Sequence, residues 1–368
     1  MPMPILLCSF PRSGRCVLMA SQAGARAVVY HPAGPDTALR ALWPEVESGR
    51  WRAMRDLLRE TRQAIPEERW ARWSQRTQVL GMLAAGSNVV ETWWAEERGV
   101  EAAVMLARVH AHRTISAYRA LRKAHGPLTV PQLGDIEQMA AAARSVIRDA
   151  EKWHPLDPVL RVCRLSLALV DESVAHIEHR WSPPDRFMPA GPWGLYQEIC
   201  ALDPPHNREA AHWMLRVLTA RGLSPFTVGS WAASVAHPGT DIHALPLYAA
   251  VQAFRDRRRR ESGPSQRQRE PELTPGWFWY GQLVKSWTEA AYRDWFYSTP
   301  ARPRGLPGDL NHLAHALKTC GMYAQAHYVF EEIGPHITPS PWRDVIDDPG
   351  EWQEEFERAR AYCARLAH

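Results

Sequence analysis

A chain of 368 residues, 45% hydrophobic and 23% charged with mean hydropathy −0.38, holds enough apolar material for two or three domains or one continuous helical array. No apolar run nears the roughly 20 residues of a membrane span. The net charge of +4 is almost all arginine, since Lys123, Lys152, Lys285 and Lys318 are the only lysines; this Ala/Arg/Trp-rich, lysine-poor balance resembles the output of a high-GC bacterial genome more than a nucleic-acid binder. The six cysteines, Cys8, Cys16, Cys163, Cys200, Cys320 and Cys363, lack CxxC spacing, which disfavours a disulfide framework or a zinc ribbon.

In chain order, the first residues have an apolar patch with no basic segment before it, so a cytoplasmic protein is expected. Residues 5–9 followed by Pro11-Arg12-Ser13-Gly14 look, over about ten residues, like the strand and phosphate-binding turn of sulfotransferases. That resemblance implies a phosphate held by Arg12, Ser13 and Gly14. The continuation Arg15-Cys16-Val17 departs from the family, and no parallel α/β pattern follows. The alternative is a short irregular or β segment, residues 1–47, that caps what comes next.

From residue 48 the pattern is helical. Trp51, Met54, Leu57 and Leu58 form one stripe, and Trp70, Trp73, Val79 and Leu80 another behind the helix-opening Pro66-Glu67-Glu68. Val90, Trp93 and Trp94 precede a long helix over residues 102–123, and a further one spans 136–153. Glu172, His176 and His179 stand at i, i+4, i+7, which on a helix presents one carboxylate and two imidazoles to a divalent metal. An ordinary polar helix face has the same spacing, and no cofactor is expected.

Residues 48–252 read as one helical repeat region. Residues 253–274 then lose their apolar residues while Arg255, Arg257, Arg258, Arg259, Arg260, Arg267 and Arg269 crowd together, the pattern of a helix end running into a mobile Arg-rich loop. An anion-binding patch is the functional alternative, but interspersed acids and missing aromatics make nucleic acid a poor partner. Residues 275–368 form a second helical region. It opens on Trp277, Phe278, Trp279 and Tyr280, a candidate aromatic pocket, with Tyr280, Leu283, Trp287 and Ala291 as a core stripe.

Residues 308–334 carry the densest signal. Leu310, Leu313, Ala314 and Leu317 form one apolar stripe, and Ala326, Val329, Phe330 and Ile333 form another beyond Gly321. The order small, apolar, Gly, Tyr, small, aromatic resembles the tetratricopeptide repeat, although Leu310 stands where that family has Trp. Met214, Leu215, Leu218, Gly222 and Trp231 match Leu313, Ala314, Leu317, Gly321 and Phe330 at a constant offset. The resemblance implies an all-α, right-handed α-solenoid of stacked helix–turn–helix units. It also implies a concave groove lined by His212, Arg216, Asn311, His315 and Lys318, with Thr219 and Thr319 beside them. Such a groove would grip a protein segment or an acidic ligand. The competing reading is an enzyme of bacterial specialised metabolism with a small molecule or metal in a helical cavity; the oligomeric state is left open. The sequence holds no G-x-S-x-G elbow, P-loop or H-E-x-x-H motif.

Overall fold

The computed structural model describes residues 28–64, 66–171, 186, 188–205, 207–261, 278–279, 281–298 and 306–367. Among them regular structure is helical, and Val29 and His336 form an isolated parallel bridge. The chain divides into two compact units, residues 36–220 and residues 28–35 with 221 onward. That division falls inside the stretch expected to form one repeat region.

The first unit begins with two short helices, α1 (Thr37–Ala41) and α2 (Trp43–Glu47), so the later part of the expected non-helical cap is helical. Asp36 explains the start: its carboxylate accepts from the Leu39 amide at 3.0 Å, satisfying a first-turn donor. α3 (Arg52–Arg62), α4 (Pro66–Ala84) and α5 (Val89–Glu96) follow, and the indoles of Trp51 and Trp93 stack at 5.7 Å. The long α6 (Val100–His125) is the axis, with α3, α4, α5, α7 (Val130–Trp153) and α8 (Pro158–Leu167) packed on it. Alanines explain its centrality. Ala102, Ala103, Ala107 and Ala111 are buried on α6, and small side chains let backbones approach. Thr129 and Gln132 cap α7, and Asp157 caps α8 just ahead of Pro158. α9 (Trp193–Leu202) and α10 (Arg208–Ala220) complete the unit against α8.

The second unit pairs α11 (Pro225–Val235) with α12 (Leu245–Glu261), the latter entered through a short 3₁₀ turn at Asp241–Ala244. α10 and α11, expected to form one repeat hairpin, therefore belong to different units. α13 (Gln282–Ala290) runs into a π-helical turn, Ala291–Tyr297. Its buried stripe is Val284, Trp287, Thr288 and Ala291, while Leu283 is 44% exposed. The predicted stripe is thus out of phase at Leu283, because extended Gly281 starts the helix anew after the aromatic tract. Tyr280 lies outside the described residues.

α14 (Pro307–Thr319) and α15 (Tyr323–Ile333) form the predicted hairpin. Gly321, at φ +77°, closes it. The Met322 amide reaches back to the Leu317 carbonyl at 2.9 Å and the Gly321 amide to the Lys318 carbonyl at 3.2 Å, which is a Schellman closure. Both expected stripes are buried and form one core with α16 (Trp342–Val345) and α17 (Trp352–Leu366), where Phe330, Trp342 and Phe356 meet edge to face or tilted within 5.9 Å.

Candidate functional site

Three helices of the first unit bring their polar residues together. α4 supplies Trp73, Ser74 and Thr77; α6 supplies Arg108, His112 and Arg119; α10 supplies Glu209, Trp213 and Arg216. The spacings i, i+4, i+11 on α6 and i, i+4, i+7 on α10 place each set along one helix face. Gly81 permits the approach of α4, since a Cβ there would lie 2.9 Å from Arg108 Cβ and 3.1 Å from His112 Cδ2.

The inner end of this cluster is charge-compensated. Arg108 donates to both oxygens of Glu209, Nη1 to Oε1 at 2.6 Å and Nη2 to Oε2 at 2.7 Å, and its Nε donates to Thr77 Oγ1 at 3.3 Å. Ser74 Oγ also donates to Glu209, and the Trp213 indole N–H reaches it at 3.4 Å. Arg108 is 3% and Glu209 7% exposed. Burial alone would raise the Glu209 carboxyl, but the Arg108 guanidinium outweighs it and holds the group below its ordinary range. Nearby, Asp157 accepts from the Trp73 indole at 3.0 Å and from the Val159 amide at 2.9 Å. Burial still pushes it up to about 6, and pushes the Cys163 thiol up to about 12.

The outer end is not compensated. The guanidinium of Arg119 lies 5.7 Å, and that of Arg216 5.1 Å, from the Trp213 ring centroid. Among the described residues neither has a carboxylate partner. Burial depresses Arg119 to about 10 and, with the repulsion of Arg119 added, Arg216 to about 9. Both stay cationic at neutral pH. Arg119 is nonetheless exposed and Arg216 partly exposed. His112 stands on α6 between Arg108 and Arg119, and burial together with the Arg108 charge pushes it down to about 4. This arrangement can take an anion: two forked donors lie over one aromatic ring and have no carboxylate partner among the described residues.

The residues expected to line one groove are not gathered in one place. Arg216 is at this outer end, with His212 half-buried one turn earlier. Asn311, His315 and Lys318 are in the other unit. Asn311 (0% exposed) and His315 (3%) are interior, which corrects the expectation that they face an open groove. Asn311 accepts from the Trp342 indole at 2.8 Å and donates to the Pro307 carbonyl at 2.8 Å. His315 sits edge-on between Trp279 (4.8 Å) and Trp342 (5.4 Å), so one residue of the expected aromatic pocket is core packing. Lys318 is ion-paired with Glu355 at 3.0 Å, and Thr319 bonds back to the His315 carbonyl at 2.8 Å. Trp277 and Tyr280 lie outside the described residues, as do Glu172, His176 and His179, and Arg12, Ser13 and Gly14. Among the described residues no group of three metal-ligating side chains occurs, and no helix is long and apolar enough to cross a membrane. Of the Arg-rich stretch, Arg258 donates to the Ile346 carbonyl at 2.8 Å and pairs with Asp347, and Arg255 approaches Asp344 at 3.6 Å. Those two arginines are engaged within their unit.

Arg108, His112, Arg119, Glu209 and Trp213 were not singled out by sequence. Their signal was there, as charged residues recurring on one face of alanine-rich or leucine-rich helices. Which arginine meets a carboxylate depends on the helix pairing.

Comparison with protein-family models, with curated proteins and with solved structures returned no match.

Proposed function

We propose that this protein is a helical binding module for an acidic ligand, held at Arg119 and Arg216 beside Trp213. The observation that carries the reading is the pair of guanidiniums over one indole with no carboxylate partner among the described residues, Arg119 exposed and Arg216 partly so. Holding two like charges close together is unfavourable in the free molecule. An anion that accepts from both forks relieves that cost, and each charge-assisted hydrogen bond contributes about 1.5–3 kcal/mol. The ligand class is an anionic group, free or on a protein segment. A solenoid of tetratricopeptide type belongs to the same proposal, and the Schellman-closed α14–α15 hairpin supports it. The α14 residues expected in its groove are already used internally.

Sulfate, phosphate and a glutamate-rich peptide, titrated calorimetrically at constant ionic strength, test the reading. Arg119→Met with Arg216→Met should weaken the best of these by roughly 100-fold or more, whereas Lys318→Glu should leave its affinity unchanged. The double variant should stay within about 1 kcal/mol of the parent in stability, because Arg119 is exposed, Arg216 partly so, and neither has a carboxylate partner among the described residues. Equal affinities in parent and double variant would overturn the proposal.

A further inference from the structure

We propose that Ser340 and His312 form a nucleophile–base dyad in the second unit, competent to take an acyl group from a carboxylic ester. This site does not rest on the anion site, since all of its residues belong to the other unit. His312, on α14, is 2% exposed, and its ring is held from three directions. Nδ1 lies 2.7 Å from the Gly308 carbonyl oxygen one turn earlier, and Ser340 Oγ lies 3.4 Å from Nε2. The ring of Tyr248, from α12, stacks on the imidazole with centroids 3.6 Å apart and planes 16° from parallel. Tyr248 is itself pinned, because its hydroxyl donates at 2.9 Å to Oδ1 of the buried Asp309. Gly308 makes room for that tyrosine: a Cβ there would lie 2.8 Å from the Tyr248 hydroxyl oxygen.

A carbonyl oxygen only accepts, so Nδ1 carries the imidazole proton and Nε2 turns its lone pair to Ser340. That is the tautomer a general base needs, and a third group orienting the base completes the arrangement that activates a serine hydroxyl. The 3.4 Å separation is long, as catalytic contacts often are before a substrate is bound. Ser340 is partly exposed, so the hydroxyl is nearer the surface than its base. In the acylation step Oγ bonds to the ester carbonyl carbon while its proton passes to Nε2. The carbon–oxygen bond to the alcohol then breaks, and His312 returns the proton to the departing oxygen. Water next adds to the same carbon and gives one proton to Nε2, and the Ser340 oxygen leaves and takes that proton back. The sum is ester plus water to acid plus alcohol, with no oxidation or reduction. The class is an ester because one base can return one proton to an alkoxide leaving group. The immediate chain neighbours Pro339, Pro341 and Trp342 carry no charge, which suits an uncharged acyl group.

An alkyl fluorophosphonate and p-nitrophenyl acetate, applied to the whole chain, are the probes. The first loses fluoride to an activated serine oxygen and should add a single phosphonyl group, which tandem mass spectrometry of the digest places on Ser340. The second should leave an acetyl group on the same residue, with nitrophenolate released in a burst. Ser340→Ala should lose both labels while keeping the tryptophan fluorescence and urea midpoint of the parent. His312→Gln should slow labelling by roughly 100-fold or more, whereas Arg119→Met with Arg216→Met should leave the rate unchanged. Nitrogen NMR of the parent at alkaline pH reads the base without a substitution: His312 should be protonated at Nδ1 and bare at Nε2. The opposite tautomer overturns the proposal. So does labelling that spares Ser340, that is no faster than in the urea-unfolded chain, or that proceeds undiminished in a folded His312→Gln variant.

Discussion

Replacing Glu209 by Gln tests the interior of the site most directly. The substitution keeps the shape and removes the charge that Arg108 meets through two hydrogen bonds of 2.6 and 2.7 Å, at a position where Arg108 is only 3% exposed. What remains for that guanidinium is Thr77 Oγ1 at 3.3 Å and the Ser74 carbonyl at 3.4 Å, both long and neutral. An uncompensated charge left in a protein interior costs about 3–5 kcal/mol, a large part of the roughly 5–15 kcal/mol that holds a domain folded. Glu209→Gln and Arg108→Met should each approach that loss. The double variant Arg108→Met with Glu209→Met buries no charge and should lie within about 1–2 kcal/mol of the parent. Urea denaturation at neutral pH, followed by tryptophan fluorescence, closes the double-mutant cycle with a coupling of about 3 kcal/mol or more. A single-variant loss below about 1 kcal/mol, or additive losses in the double variant, would refute the assignment of this pair as buried and mutually dependent.

Three further outcomes follow from particular contacts. Gly81→Ala pushes a methyl to within 2.9 Å of Arg108 Cβ and should destabilise by about 1–3 kcal/mol, read as a lower urea midpoint with an unchanged m-value. Gly321→Ala places a Cβ at φ +77° and should cost about 1 kcal/mol in thermal stability; an unaffected Tm would mean the turn relaxes freely. His315 is held well below 6.5 by burial and the nearby Lys318 charge. The unfolded chain therefore binds a proton before the folded one does, and stability present above about pH 6.5 is lost progressively as pH falls. His315→Met should make that acid limb shallower in denaturation curves collected across pH, and a limb of equal slope counts against the buried neutral imidazole.

Helix existence was legible wherever the apolar period was long and its ends were punctuated. Leu313, Leu317, Val329 and Phe330 are interior because a stripe at i, i+3, i+4, i+7 has only one face to bury, and Gly321 marked the turn because a left-handed residue is needed there. The phase at Leu283 was misread because a stripe carried through Gly281 ignores a new helix start. Tetratricopeptide spacing placed Asn311 and His315 on an open face. A polar side chain can equally well be interior when the core offers a partner, as Trp342 does for Asn311 at 2.8 Å. That choice depends on a residue 31 positions away, beyond any local pattern.

By itself the sequence determined that the described chain is helical, where many of its turns fall and which stripes are apolar. These follow from backbone sterics, capping and the period of burial, all of them local. The tertiary structure alone decided how arginines sharing one chemistry divide into roles. Arg108 meets Glu209 101 positions away, whereas Arg119 and Arg216 meet an indole and, among the described residues, no carboxylate. A guanidinium is the same group in every position, and its role is set by the carboxylates that the fold brings within about 4 Å of it.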